Sequence, residues 1–305
     1  MIKHWIFKII IFIFVHFPFN RYLAILLRKI GFGQHPIYKD LKFKGLFSVN
    51  FNNNNLDYKF TMRHYGGRIE NETFWKGLFK SFEIESGDIW IEFSRSTKVI
   101  FDIGANTGIY SLVSKTVNTL SEVHAFEPSI NTYNKLTENI SINNLDIKHY
   151  PIALGEYDGE QIFYDYKIDN QTSASLSPEK SKGIKEVWEY KVSTLRLDSF
   201  IEKYNITKID LIKLDVEMFE PEVLMGFSGC INTFLPVIFI EVLTDEVANK
   251  IFSLIEENYY IYQLNTNNTI KKVDQFIIVA FVWNYLLIPK SKISMYQSII
   301  SKFEV

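Results

Sequence analysis

The chain has 305 residues, 47% of them hydrophobic and 22% charged, enough for one large domain or for one domain with an extension. A net charge of −2 excludes a global basic field, so no nucleic-acid partner is expected. A single cysteine, Cys230, excludes an intramolecular disulfide framework and fits a reducing, cytoplasmic compartment.

Residues 1–50 carry Lys3, Lys8, Arg21, Arg28, Lys29, Lys39, Lys42 and Lys44 against Asp40 alone. The apolar run Trp5–Val15 is shorter than the roughly 20 residues that cross a bilayer, and no small-residue cleavage site follows it. The readings are a helix packed on the domain, peripheral contact of residues 1–33 with the inner face of a membrane, or, against the length and the missing cleavage site, a cleaved signal or true span. Tyr22–Ile30 reads as a short helix stopped by Gly31 and Gly33. Residues 41–63 alternate like strands around a turn at Asn52–Asn55, and 70–95 look helical, with Phe74, Trp75, Leu78 and Phe79 on one face. Residues 1–84 are taken as an N-terminal extension and 85–305 as the main domain.

After residue 97, apolar runs alternate with helical segments at the spacing of parallel α/β units. The runs are Val99–Ile103, Val123–Phe126, Ile147–Ala153, Ile209–Leu214 and Val237–Ile240. Helices are expected at about 107–118, 129–142, 195–204 and 220–232. Gln161–Lys167 and Tyr190–Thr194 read as extra strands around a polar loop, 169–177, that either covers an acceptor or is a plain surface excursion. Tyr259–Leu264 and Phe276–Trp283 read as a final edge hairpin.

The chemistry lies at the strand ends. Gly104 and Gly108 in Asp102-Ile-Gly-Ala-Asn-Thr-Gly108 allow a tight turn and close approach of a ligand to backbone, or merely close a strand–helix connection. Asp102 can accept bonds from an ammonium or order the loop. Glu127 ends the next strand, 23 residues after Gly104, where a carboxylate can take both hydroxyls of a ribose. Ile152 and Ala153, at the end of the third strand, can flank a base. The loop reads G-A-N-T-G rather than G-x-G-x-x-G, which suits a nucleoside without a pyrophosphate better than NAD.

Asp215 ends the fourth strand, with Glu217 and Glu220 close behind, and Glu241 ends the fifth. Such acids can act as a general base, bind a metal or orient a substrate, or simply favour a helix N-terminus. No metal is assigned. Lys213, in a buried strand, needs a partner, with Asp210 and Glu241 as candidates. His149, early in its strand, reads as a satisfied histidine.

Residues 97–243 resemble the FkbM family of S-adenosylmethionine-dependent methyltransferases. The matching pieces are V-I-F-D-I-G-A-N-T-G-I-Y-S, V-H-A-F-E-P, N-I-S-I-N-N, A-L-G-E-Y-D-G-E, T-L-R-L-D-S-F and I-D-L-I-K-L-D-V-E-M-F-E-P-E-V-L-M-G, in order. The resemblance implies a class I methyltransferase fold: a Rossmann-like, seven-stranded, mostly parallel sheet with helices on both faces and an antiparallel last strand. It also implies S-adenosyl-L-methionine as cofactor and methyl transfer, usually to oxygen, on small molecules, sugars, glycans or lipids. Asp102, Gly104, Asn106 and Gly108 would line the methionine end and Glu127 would hold the ribose. Asp215 is the first choice of base, then Glu241, then Glu217. The family usually reads K-x-D-x-E-G, and here Met218 replaces that glycine: it is strained if the glycine takes a positive φ, and reshapes the pocket if the glycine only leaves room. A non-catalytic cofactor binder and an NAD oxidoreductase are the alternative readings.

Overall fold

The computed structural model of the chain describes residues 11–166, 175–177, 187–278 and 282–305. The readings placed on 5–10, on 167, on 169–174 and on 279–281 lie outside the described residues.

Two compact units divide the chain, one up to Glu83 and one from Ile84 onward. The first contains a helical segment at 11–16, the helix Asn20–Lys29, the hairpin of β1 (Gly45–Asn53) with β2 (Leu56–His64), and the helix Arg68–Lys76. Asn54 and Asn55 both take left-handed φ, 50° and 61°, and so form the two-residue turn that matches strand twist. Phe47, Val49, Phe60 and Met62 form the buried face of the hairpin, and Phe47 meets Phe74 edge-on at 5.5 Å. His64 is a core histidine: Nδ1 accepts the Gly66 N–H at 3.0 Å, Nε2 bonds Asn71 at 3.1 Å, and burial lowers its pKa to about 4. The helix expected over 70–95 is two helices, because Gly77 at φ 103° ends the first and Gly87–Ser96 forms the second.

The second unit is built on an eight-stranded sheet ordered β12-β11-β13-β10-β9-β3-β4-β5. Its strands are β3 (Val99–Ile103), β4 (Glu122–Phe126), β5 (Ile147–Tyr150), β9 (Leu211–Leu214), β10 (Val237–Glu241), β11 (Tyr259–Asn265), β12 (Thr269–Val273) and β13 (Asn284–Pro289). The first five of these are parallel, and β13 runs antiparallel between β10 and β11. This is the expected class I sheet with β12 added as an eighth, edge strand. The buried runs of β9, β10 and β13 show why these segments lack strict alternation: both faces are covered.

Three further expectations needed correction. The third apolar run breaks at Pro151, so β5 stops at Tyr150 and Ala153–Leu154 (β6) joins a separate three-stranded sheet, β6-β8-β7, with β7 at Gly159–Tyr166 and β8 at Val187–Leu195. The expected helix over 220–232 is two short ones, Glu220–Met225 and Ile231–Phe234. The final hairpin pairs β11 with Thr269–Val273 rather than with Phe276–Trp283; residues 276–278 have no regular structure, and the next strand begins at Asn284.

From β3 the chain moves one way to β4 and β5, and later the other way to β9 and β10. The carboxyl ends of β3 and β9 therefore flank a topological switch point, where open α/β sheets bind ligands.

Candidate functional site

The switch point is closed by backbone. The Asp215 N–H donates to the Ile103 carbonyl at 3.0 Å, and Gly104 turns away at φ 85°. A Cβ on Gly104 would lie 1.8 Å from the Asp215 carbonyl oxygen, so the two strand tips approach as only glycine allows. The Gly104 and Ala105 N–H groups both donate to the Phe126 carbonyl, at 3.0 and 2.9 Å, which ties the loop to the tip of β4. Gly108, at φ 92°, opens the helix Ile109–Val117, and a Cβ there would meet the Leu136 side chain at 2.5 Å.

Asp102 is buried, and its Oδ2 accepts the Ser111 N–H at 3.0 Å and the Ser111 hydroxyl at 2.6 Å. It thereby satisfies a first-turn N–H of a helix that has no capping side chain, the loop-ordering alternative. Burial pushes its pKa up to about 6, against the Ser111 bonds and the Lys213 charge.

Glu127 is also buried. Its Oε2 accepts the Asn106 N–H at 3.0 Å and its Oε1 the Ser129 N–H at 2.8 Å. Each oxygen keeps a second acceptor position, which is what a vicinal diol needs. Burial raises its pKa to about 7; the two N–H bonds pull it down, and Asp165 and Asp102 push it up. Asn106 sits at φ 51° with its side chain accepting the Thr107 N–H at 2.8 Å. Ile152 is half-buried against the main core, and Ala153 packs in the small cluster of Phe163, Leu176 and Val192.

The three acids chosen as bases come together. Carboxylate oxygens of Asp215, Glu217 and Glu241 lie within 4.8 Å of one another, all half-buried. Lys213 donates to Asp215 Oδ2 at 3.1 Å, with its ammonium 5.1 Å from the Tyr110 ring centroid. Asp210 is not the partner of Lys213: it lies at the amino end of β9, where it accepts the Lys98 and Val99 N–H groups and pairs with Lys208 at 2.6 Å. Glu220 is fully buried; Oε1 accepts the Val216 N–H at 3.1 Å and Oε2 has no hydrogen-bond partner. Burial, with Asp215 and Glu217 nearby, raises its pKa to about 8, so it is protonated at neutral pH. His149 bonds the Tyr133 hydroxyl at 2.8 Å, as a satisfied histidine should.

The turn that carries Asp215, Glu217 and Glu220 is strained. Glu217 and Met218 take φ of 58° and 74°, each in the left-handed region that costs a non-glycine residue about 1–2 kcal/mol. Met218 therefore stands where a positive φ is required, and it also packs on the main core. At an ordinary site alanine is more stable than glycine; here Met218→Gly is expected to exceed Met218→Ala by about 1 kcal/mol, read from denaturation midpoints. The reverse order would mean that the turn relaxes.

Two buried side chains of the site were missed. Asp165, on β7, accepts the Ser129 and Tyr190 hydroxyls, both at 3.0 Å, and so fixes the residue whose N–H holds Glu127. Its signal was available: an acid two residues from Phe163, on the inward face of a strand. Ser175, within the polar run, carried none. Its hydroxyl donates to the Glu217 carbonyl at 2.6 Å and accepts the Ser177 N–H at 2.9 Å, which pins the left-handed turn. Ser175→Ala is expected to cost about 1–3 kcal/mol in unfolding free energy, because a buried N–H loses its acceptor. Ser175→Thr retains most of that if the hydroxyl is what matters.

The comparisons bear on this geometry. The sequence profile described as the methyltransferase FkbM domain matches residues 102–275. The hexuronic acid methyltransferase AglP of Haloferax volcanii is 27% identical over 143 residues, 47% of this chain and 55% of AglP. Methyltransferase 1 of Beauveria bassiana is 27% identical over 144 residues, 42% of this chain and 58% of that protein. The chain thus spans little more than half the length of either relative. A crystal structure of methyltransferase FkbM from Methylobacillus flagellatus is similar at TM-score 0.39 and 18% identity, over 63% of this chain and 43% of that one. An O-methyltransferase from Bacillus cereus, solved with SAH, is similar at TM-score 0.38 and 13% identity, over 65% and 77%. Structural scores this low carry no weight beside the sheet order; the profile match does, since it runs from the acid before the glycine turn through both acid-bearing strand tips, over more than half the sequence, and by it the chain belongs to the FkbM methyltransferase family.

Proposed function

We propose that residues 85–305 methylate a hydroxyl oxygen of a sugar, free or within a glycan or lipid-linked saccharide, with S-adenosylmethionine as methyl donor. The observation that carries the proposal is the gathering of Asp215, Glu217 and Glu241 one strand from a glycine turn too tight for any Cβ. The donor fits the residues present. Glu127 offers two acceptor positions for its ribose; Gly104, Asn106 and Gly108 supply a backbone cradle for its amino-acid end, with Asp102 ordering that cradle. Bound there, S-adenosylmethionine supplies an electrophilic methyl carbon on a positive sulfur.

Asp215 takes the proton of the acceptor hydroxyl as the oxygen attacks that carbon. With the donor bound, the acceptor oxygen would gain the methyl as the C–S bond breaks, its electron pair staying on sulfur to give S-adenosylhomocysteine. Lys213 holds one Asp215 oxygen, and the left-handed turn pinned by Ser175 sets Glu217 beside it.

AglP is named for a hexuronic acid, which favours sugars as the substrate class. The acids here argue for a neutral or amino sugar, because a uronate carboxylate beside three carboxylates is repelled. The test is a mass-spectrometric assay of methyl gain on glucoside, glucosaminide and glucuronide acceptors, beside calorimetric titration with S-adenosylhomocysteine and NAD. Transfer to neutral sugars over the glucuronide is expected. Binding of NAD alone would overturn the cofactor, and binding of S-adenosylhomocysteine without transfer to any acceptor would favour a non-catalytic binder.

A further inference from the structure

The first 39 residues contain Lys3, Lys8, Arg21, Arg28, Lys29 and Lys39 and no Asp or Glu. Within them, eight large apolar side chains stand in solvent: Phe12, Ile13, Val15, Phe17, Phe19, Tyr22, Leu26 and Ile30, each between 43% and 70% exposed. They are eight of the 20 such side chains among the described residues, gathered into 19 consecutive positions. Scattered exposed apolar residues need no explanation, but a contiguous set does.

The segment is held in place. Phe14 and Ala24 are buried at 2% and 0%, and the Arg28 guanidinium lies 5.0 Å from the Phe74 ring centroid. With those residues inward, Tyr22, Leu26 and Ile30 fall at i, i+4 and i+8, on one stripe of the helix Asn20–Lys29 and just past its end. Lys29 is exposed beside that stripe, in the last turn. No described helix is long and apolar enough to cross a membrane.

We propose that residues 11–30 dock this chain on an anionic lipid surface, inserting Phe19, Tyr22 and Leu26 at headgroup depth while Lys29 meets lipid phosphates and the basic charge of the segment draws it to the surface. The charge pattern selects lipid over a second copy of this chain, because two copies would set basic segments against each other. Aromatic and aliphatic tips flanked by Lys and Arg suit the bilayer interface, where apolar burial and attraction to anionic headgroups add. The docking is separate from methyl transfer, and its failure leaves the chemistry untouched.

The test is co-sedimentation of the full chain with vesicles of phosphatidylcholine alone and of phosphatidylcholine mixed with phosphatidylglycerol, at low and high salt. Binding to the mixed vesicles, weakened by salt and weak on phosphatidylcholine alone, is expected. The triple variant Phe19→Ser/Tyr22→Ser/Leu26→Ser should lose roughly tenfold or more in partitioning. Its circular dichroism and melting midpoint should be unchanged, since those side chains are exposed. Lys29→Gln should lower the preference for the anionic vesicles a few-fold. No sedimentation with either vesicle, or partitioning unaffected by the triple variant, overturns the proposal. So does a dimer in light scattering that the triple variant disperses, which would identify a second copy as the occupant.

Discussion

Asp215→Asn is expected to slow methyl transfer by about 10²–10³-fold while leaving S-adenosylhomocysteine affinity within about threefold. The range is that of a positioned general base. The asparagine keeps shape and one acceptor oxygen, so Lys213 retains a hydrogen bond there but loses the Asp215 charge. Lys213 is only 2% exposed at its side chain, whereas Asp215 is 26% exposed, so the substitution also costs stability. Two readouts separate the effects: a lowered melting midpoint reports the lost ion pair, and a lowered kcat at a temperature where the variant is folded reports the lost base. Glu241→Gln is the internal comparison, since Glu241 lies in the same cluster. If Asp215→Asn only lowers the midpoint, Asp215 is the partner of Lys213 and nothing more, and the base is Glu241 or Glu217. If Asp215→Asn, Glu241→Gln and Glu217→Gln each retain full rate, proton removal is not assisted by this cluster.

The sequence made the acids at the strand tips legible because parallel strands leave a strong signal: a buried apolar run that stops abruptly at a polar residue. Glu127, Asp215 and Glu241 each end such a run, Asp102 lies one residue before the end of its own, and all four sit toward the carboxyl end of the sheet. What could not be read was which partner each acid takes. Asp102 faces Ser111, nine residues on, because the helix after the glycine turn folds back over the strand. Asp210 and Asp215 lie at opposite ends of one strand, so only the second can meet Lys213. Sequence could state the condition for strain at Met218 but not resolve it; the backbone angle does. The break at Pro151 was readable from the missing N–H, yet the apolar residues on both sides masked it. The edge strand β12 was missed because Thr269–Val273 is polar and lysine-rich, as an exposed edge should be. Ser175 acts through tertiary contacts across 41 or more residues, which no local pattern announces; Asp165 could be picked out as an inward-facing acid on its strand, but not its partner Ser129, 36 residues away.

Cofactor affinity is expected to depend on pH through Glu127, and to lose that dependence in Glu127→Gln. Glu127 has a pKa of about 7 in the folded chain, raised from 4.5 by burial. Only the ionised form offers acceptors to both ribose hydroxyls, so the ligand binds the deprotonated state. With a pKa near 7, the competent fraction falls from about nine-tenths at pH 8 to about one-tenth at pH 6, and the apparent Kd for S-adenosylhomocysteine rises about tenfold. Glu127→Gln keeps one acceptor oxygen and one of the two backbone bonds, the other N–H then facing the amide NH2; its Kd should be about 10–100-fold weaker at pH 8 and flat with pH. Stability changes in the opposite sense. Because the folded pKa lies above the unfolded value, the folded chain holds the extra proton between 4.5 and about 7, and the contribution of Glu127 is fully present below that window and lost as pH rises through it. Glu220, at about 8, acts in the same direction over a wider window. The ligand-induced rise in melting midpoint should therefore be larger at pH 8 than at pH 6, and calorimetry at pH 6 in buffers of different ionisation enthalpy should show a proton released on binding. A pH dependence of about twofold over the same range that survives in Glu127→Gln would move the titrating group to Asp102, the other buried carboxyl of the loop, whose pKa of about 6 leaves it half ionised at pH 6. A Kd independent of pH in the unsubstituted chain would mean that the ribose does not rest on a carboxylate at all.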